Sequence, residues 1–152
     1  MEPVCELVNR DVTPSVVIRT RCSVEELPQI IGPAYQRIAT FLGPKNLAPA
    51  GPPYVGYHNE DMQDLDLEIG FPLTEELTGE GEFEASSIPE GKYATTLHLG
   101  PYTKFEVAYN RLTQWIDKQS LQSTGSCYEI YLNDPADTPE DALQTLILFP
   151  IK

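Results

Sequence analysis

A chain of 152 residues with 41% hydrophobic content is near the usual size of one domain and can bury a core without disulfides or metals. Its formal net charge of −13, with 10 Lys and Arg against 23 Asp and Glu, argues against nucleic-acid binding, since phosphate contacts need basic side chains. No apolar run approaches membrane-spanning length and the N-terminus lacks the layout of a signal peptide, so a cytoplasmic protein without a membrane partner is expected.

In chain order, Val16, Val17 and Ile18 mark a strand over residues 12–21. Ser23 and Glu26 have the spacing of a capping box ahead of a helix whose Ile30, Ile31, Ala34, Ile38 and Phe41 supply its apolar residues. Pro28 and Pro33 predict that this helix begins late or kinks. A Pro- and Gly-rich connection over 47–53 leads to a strand at 54–58. From Asp64 the pattern alternates strictly: Leu65, Leu67, Ile69 and Phe71 share one face, while Asp64, Asp66, Glu68 and Gly70 share the other. Residues 74–84, with Gly79 and Gly81, read as a junction. Beyond it lie a strand at 93–99, a helix start at Gly100-Pro101, and an apolar helical face of Phe105, Ala108, Tyr109, Leu112, Trp115 and Ile116. Gly125 precedes a strand at 127–132, Asn133-Asp134-Pro135 starts a turn, and residues 145–151 form a closing strand.

The two series match. Tyr35 and Tyr109, Phe41 and Trp115, Gly51 and Gly125, Tyr54 and Tyr128, Tyr57 and Tyr131, and Asn59 and Asn133 all stand 74 positions apart. Past a short insertion, Phe71-Pro72 matches Phe149-Pro150. So many matches in one order predict an internal duplication, with pseudo-repeats over about residues 1–76 and 77–152. Each half reads strand–helix–strand–strand, which predicts an α+β fold with a mostly antiparallel sheet. A pseudo-twofold arrangement places a central cleft between the modules, where small ligands bind most readily.

Glu129 is the anomaly in this pattern. It stands in the apolar and aromatic strand Cys-Tyr-Glu-Ile-Tyr-Leu, and its counterpart in the first half is Val55. By period two it shares a face with Tyr131 and Asn133. On a solvent face it is an ordinary strand glutamate. On a cleft face it is partly desolvated and suits a cationic ligand, which the aromatic faces of Tyr57, Tyr131 and Trp115 can also hold. Glu68, on a central strand, could face the same cleft. The acidic run from Glu60 to Glu68 reads as a solvated strand face, and His98 as a structural hydrogen-bonding group. Cys5, Cys22 and Cys127 lie far apart with no C-x-x-C pair, and His58 and His98 are distant, so neither a metal site nor a haem or other cofactor is expected. There is no Gly-rich phosphate loop and no nucleophile elbow.

The run HLGPYTKFEVAYNRLTQWI resembles the His-x-Gly-Pro-Tyr strand-to-helix signature of the GyrI-like small-molecule-binding superfamily. YEIYLNDP with the closing FPI resembles that family's C-terminal signature, and YVGYHNEDMQDLDLEIGFPL is similar to its corresponding strand pair in the first half. The resemblance implies one effector-binding domain over residues 1–152, of the type found in AraC-type and multidrug-sensing regulators and in stand-alone proteins. It implies two tandem modules around a pocket where a glutamate matching Glu129 meets hydrophobic, often cationic, aromatic compounds. The first strand is expected within about a dozen residues of Met1, which leaves no helix-turn-helix segment ahead of it and favours a stand-alone sensing or sequestering protein. The residues expected at the ligand are Glu129, Tyr131, Tyr57, Trp115, Glu68 and Val55. Two alternatives remain: a hydrolase of strained natural products that uses Glu129 with Tyr131 to activate water, or an acidic module that acts on a protein partner such as a DNA-processing enzyme.

Overall fold

The computed structural model describes residues 4–152, and among these residues it contains eight strands and two α-helices. In chain order they are β1 (Cys5–Arg10), β2 (Thr13–Cys22), α1 (Leu27–Leu42), β3 (Tyr54–Tyr57), β4 (Leu65–Pro72), β5 (Phe83–Ile88), β6 (Gly91–Leu99), α2 (Phe105–Lys118), β7 (Cys127–Tyr131) and β8 (Gln144–Pro150). The strands form one sheet in the order β1-β6-β8-β7-β3-β4-β2-β5, and every neighbouring pair is antiparallel. The α+β class and the antiparallel pairing are as the sequence predicts. Two strands are additional: β1 and β5, so each helix is preceded by two strands rather than one. Both sit at sheet edges, where a strand is paired on one side only and carries a weaker apolar signal.

The connections fix the curvature of the sheet. β5 and β6 stand six positions apart in the strand order, about 29 Å in a flat sheet at about 4.8 Å per strand. Only Pro89 and Glu90 join them, a link that reaches about 11 Å at most. β1 and β2, also six positions apart, are joined by Asp11 and Val12 alone. The sheet therefore curls until its two edges approach each other. On that inner face Val17, Tyr54, Ile88, Tyr93, Tyr128, Ile130 and Leu148 form a core cluster that contains no helix residue.

Both helices cover the opposite face. Val55 pairs with Ile69 and with Glu129, and Glu129 pairs with Ile147, so these four side chains share one face. Val55 and Ile69 pack with Ala34, Ile38 and Leu42 of α1, while Ile147 packs with Ala108, Leu112 and Ile116 of α2. The four-residue spacing of each set is what puts one stripe of the helix on the sheet. At the start of α1 the Ser23 backbone N–H donates to Glu26 Oε1 at 2.9 Å, one 3-10 turn follows, and the α-helix begins at Leu27. Pro33 lies inside α1 on its exposed side, where water can satisfy the carbonyl its ring leaves free.

Candidate functional site

Glu129 lies on the helix-covered face and is 3% exposed, so the solvent-face alternative falls away. Its carboxylate meets hydroxyls rather than a base. Tyr57 on β3 and Tyr131 on β7 both donate to Oε1, at 3.1 and 2.6 Å, and Tyr109 on α2 donates to Oε2. No ion pair among the described residues includes Glu129. Burial raises the carboxyl above the ordinary glutamate range, and the phenols of Tyr109, Tyr131 and Tyr57 pull it part of the way back. The same burial, with the negative charge of Glu129 next, holds all three phenols well above the usual tyrosine value, so they act as donors. Cys127, 3.5 Å from the Tyr109 hydroxyl, is pushed up to about 12 by burial and by Glu129, which makes it a poor nucleophile.

Further rings enclose the group. Tyr102 packs on Tyr131 with centroids 5.5 Å apart, Phe105 on Tyr109 at 6.2 Å, and Phe149 on Tyr109 at 5.7 Å. Tyr35 on α1 donates to the Tyr54 carbonyl at 3.2 Å, and its own phenol is raised by burial and then by Glu129. Val55, directly opposite Glu129 in the register, closes one flank with a fully buried side chain.

Of the six residues expected at the ligand, the structure brings together Glu129, Tyr131, Tyr57 and Val55. It separates the other two. Glu68 pairs with Gly56, one step along from the Val55–Glu129 pair, so it projects from the opposite face of the sheet. There it accepts from Tyr54 at 3.3 Å and Ser86 at 3.0 Å, with His58 Nε2 3.5 Å away. Gly56 makes room for it, because a Cβ there would stand 2.9 Å from both Glu68 Cγ and Tyr128 Cε1. Trp115 is a partly buried side chain of the cluster around Ala108, Leu112 and Ile116, away from the carboxylate's hydrogen bonds. Tyr109, Tyr102 and Tyr35 also stand at the site, although helical periodicity and turn chemistry alone place them in the core or in a turn. The repeat held the signal for two of them, since Tyr35 and Tyr109 are one of its matched pairs.

Asp64 and Asp66 pair with Arg21 and Arg19 at 3.0 and 2.9 Å on an exposed surface, the solvated role expected of the acidic run. His98 Nε2 lies 2.9 Å from the Pro101 carbonyl, a structural contact at the strand end. Two grooves of about 300 and 380 Å³ lie elsewhere, one lined by Tyr93 and Tyr128, the other by Ile116 and Phe149; Glu129 lines neither. The carboxylate itself is enclosed by its own phenols.

A curled antiparallel sheet with two helices on one face, and a buried acid ringed by phenols on that face, defines the molecule as an α+β domain. The chain belongs to the GyrI-like small molecule binding domain family, whose model matches residues 5–152. No curated protein matches it in sequence. Its fold is similar to that of EcmrR in a complex with DNA and RPo, at a TM-score of 0.85 and 20% identity, covering 99% of this chain and 57% of that one. The crystal structure of the EcmrR C-terminal domain alone gives a TM-score of 0.79 at 20% identity, with 100% and 99% covered. A hydrolase from Listeria innocua is similar at a TM-score of 0.73 and 13% identity, with 97% and 91% covered. SAV2435 bound to tetraphenylphosphonium is similar at 0.65 and 16% identity, with 100% and 94% covered. The chain thus spans little more than half of the EcmrR chain in that complex.

Proposed function

We propose that this domain binds hydrophobic aromatic cations at Glu129, as a multidrug-type sensing or sequestering module. The observation that carries the reading is a buried carboxylate that, among the described residues, has no basic partner and is held by tyrosine hydroxyls. A charge in such a place is costly, and a cation flanked by aromatic rings is the ligand that relieves it. A relative of the same fold is bound to tetraphenylphosphonium, which supports that class. We take residues 1–152 as one domain of two repeats that works in the cytoplasm, and its charge of −13 disfavours direct contact with nucleic acid.

The test is calorimetric titration of tetraphenylphosphonium into wild type and Glu129→Gln. Loss of the charge should weaken binding by about 1.5–3 kcal/mol with the fold retained. Wild-type binding should also weaken as pH falls through the raised carboxyl value, because a protonated Glu129 no longer attracts a cation. Equal affinity for the two proteins, or affinity that ignores pH, would refute the reading.

One feature also suits a hydrolase: a carboxyl raised by burial holds and releases a proton nearer neutrality, with the Tyr131 phenol 2.6 Å away to polarise a substrate. Turnover in excess of protein, lost in Glu129→Gln while neutral compounds still bind, would favour that reaction over simple binding.

A further inference from the structure

A second polar group lies on the same face, outside the hydrogen bonds around Glu129. Tyr131 pairs with Thr145 on β8, and Thr145 pairs with His98 on β6, so the three side chains form a row on the face that carries Glu129. Thr145 is 0% exposed, and its hydroxyl has no hydrogen-bond partner among the described residues. Buried hydroxyls are normally satisfied, so an orphan here needs a reason. Aromatic rings bridge the row: His98 packs on Phe105 at 4.8 Å, Phe105 on Tyr102 at 5.4 Å, and Tyr102 on Tyr131 at 5.5 Å. The orphan therefore lies in the sheet between the two strand residues whose rings begin and end this chain. One of them, Tyr131, is itself a donor to Glu129.

We propose that Thr145 is a second anchor of the Glu129 site and takes a hydroxyl or carbonyl oxygen carried by the aromatic cation. The inference rests on the cation reading above and narrows its ligand class. Ile147, the residue directly opposite Glu129, lies two residues along β8 from Thr145. At about 3.4 Å per residue, the two anchors stand about 7 Å apart along the strand, close to the reach of one phenyl ring and its substituent. A threonine hydroxyl both donates and accepts, so either kind of oxygen fits. Simple packing does not account for it, because valine would fill the same volume without burying an unsatisfied hydroxyl.

The experiment is calorimetric titration of tetraphenylphosphonium and of its 4-hydroxyphenyl analogue into wild type, Thr145→Val, Thr145→Ser and Glu129→Gln. Wild type should prefer the hydroxylated cation by about fivefold, the worth of one neutral hydrogen bond. Thr145→Val should erase that preference, while Thr145→Ser should keep it. If Thr145→Val does not fold, Thr145→Ala takes its place, compared with Thr145→Ser. No preference in wild type, or the same preference in wild type and Thr145→Val, overturns the second anchor alone, provided Glu129→Gln weakens both cations. Failure of both cations to bind wild type, or indifference of both to Glu129→Gln, overturns the cation reading and the anchor together.

Discussion

Val55 and Glu129 are related by the repeat spacing, and they are also direct cross-strand partners at the centre of the sheet. If the halves are true repeats, a twofold axis passes between these two residues, and that position can hold only one carboxylate. Val55→Glu tests this. Side chains directly opposite stand about 5 Å apart at Cβ, and two charges at that distance repel by about 3 kcal/mol at an effective dielectric of about 20. Val55 is fully buried, so solvent does not screen the new charge. The variant should therefore lose at least about 3 kcal/mol near neutral pH, or about 6–12 °C in Tm for a chain of this size. Protonation of one carboxyl removes the repulsion. Its folded pKa is raised, so the lost stability returns as pH falls towards the unfolded value and vanishes again as pH rises. The double variant Val55→Glu/Glu129→Val leaves one carboxylate on the other side of the axis. Tyr57 and Tyr131 still flank it there, and Tyr35 stands where Tyr109 stood. Urea denaturation at about pH 7 and about pH 4.5 should find the double variant within about 1 kcal/mol of wild type. A double variant as unstable as Val55→Glu alone would refute the symmetry, and a fully stable Val55→Glu at neutral pH would refute the close pairing.

Tyr131→Phe removes the 2.6 Å donor to Glu129 and should cost about 1.5–3 kcal/mol at neutral pH, falling to about 0.5–1.5 once Glu129 is protonated. Tyr35→Phe serves as the control in the same urea series, because its hydroxyl donates to a backbone carbonyl and its cost should not change with pH. Gly56→Ala drives a methyl to 2.9 Å from Glu68 and Tyr128 and should cost about 1–3 kcal/mol by thermal denaturation; a neutral result would contradict the close approach.

What the sequence could and could not show divides along physical lines. The strands with strong alternation or β-branched runs, β2 and β4, lie within two residues of their expected positions, because burial dictates their residues. β1 and β5 carry no clear pattern, because an edge strand such as Phe-Glu-Ala-Ser-Ser-Ile buries little and needs little. Glu129 stood out because a carboxylate broke an apolar pattern that its counterpart Val55 keeps. Period two gives the side of a strand on which Glu68 stands, but its relation to Glu129 depends on register between strands, and the register places it on the other face. A slip of one residue in the β3–β4 pairing would have put both glutamates on one face. Tyr109 and Trp115 both lie on the second helix's apolar side, and helical periodicity cannot tell which of them reaches over the acid.

The three phenols that enclose Glu129 bear on how the proposed ligand would reach it. Three donors to a charged acceptor are worth about 1.5–3 kcal/mol each, so breaking all of them costs about 4.5–9. A cation at about 4 Å gains about 4 kcal/mol at an effective dielectric of about 20, and a ring face adds about 0.5–2. The total gain of about 4.5–6 kcal/mol exceeds the cost of releasing one phenol, matches that of releasing two, and reaches that of three only at the low end of its range, whereas a neutral ligand supplies no such gain. On the proposed reading, the phenol that yields is the one least fixed by the sheet. Tyr57 and Tyr131 are held in β3 and β7 by ladders on both sides, whereas Tyr109 is carried by α2, which meets the sheet through side chains alone. A shift of α2 would uncover Oε2 while Oε1 keeps both of its donors. On the same reading, selectivity for positive charge follows from the hydrogen bonds that enclose Glu129, because a ligand that supplies charge compensates for breaking them.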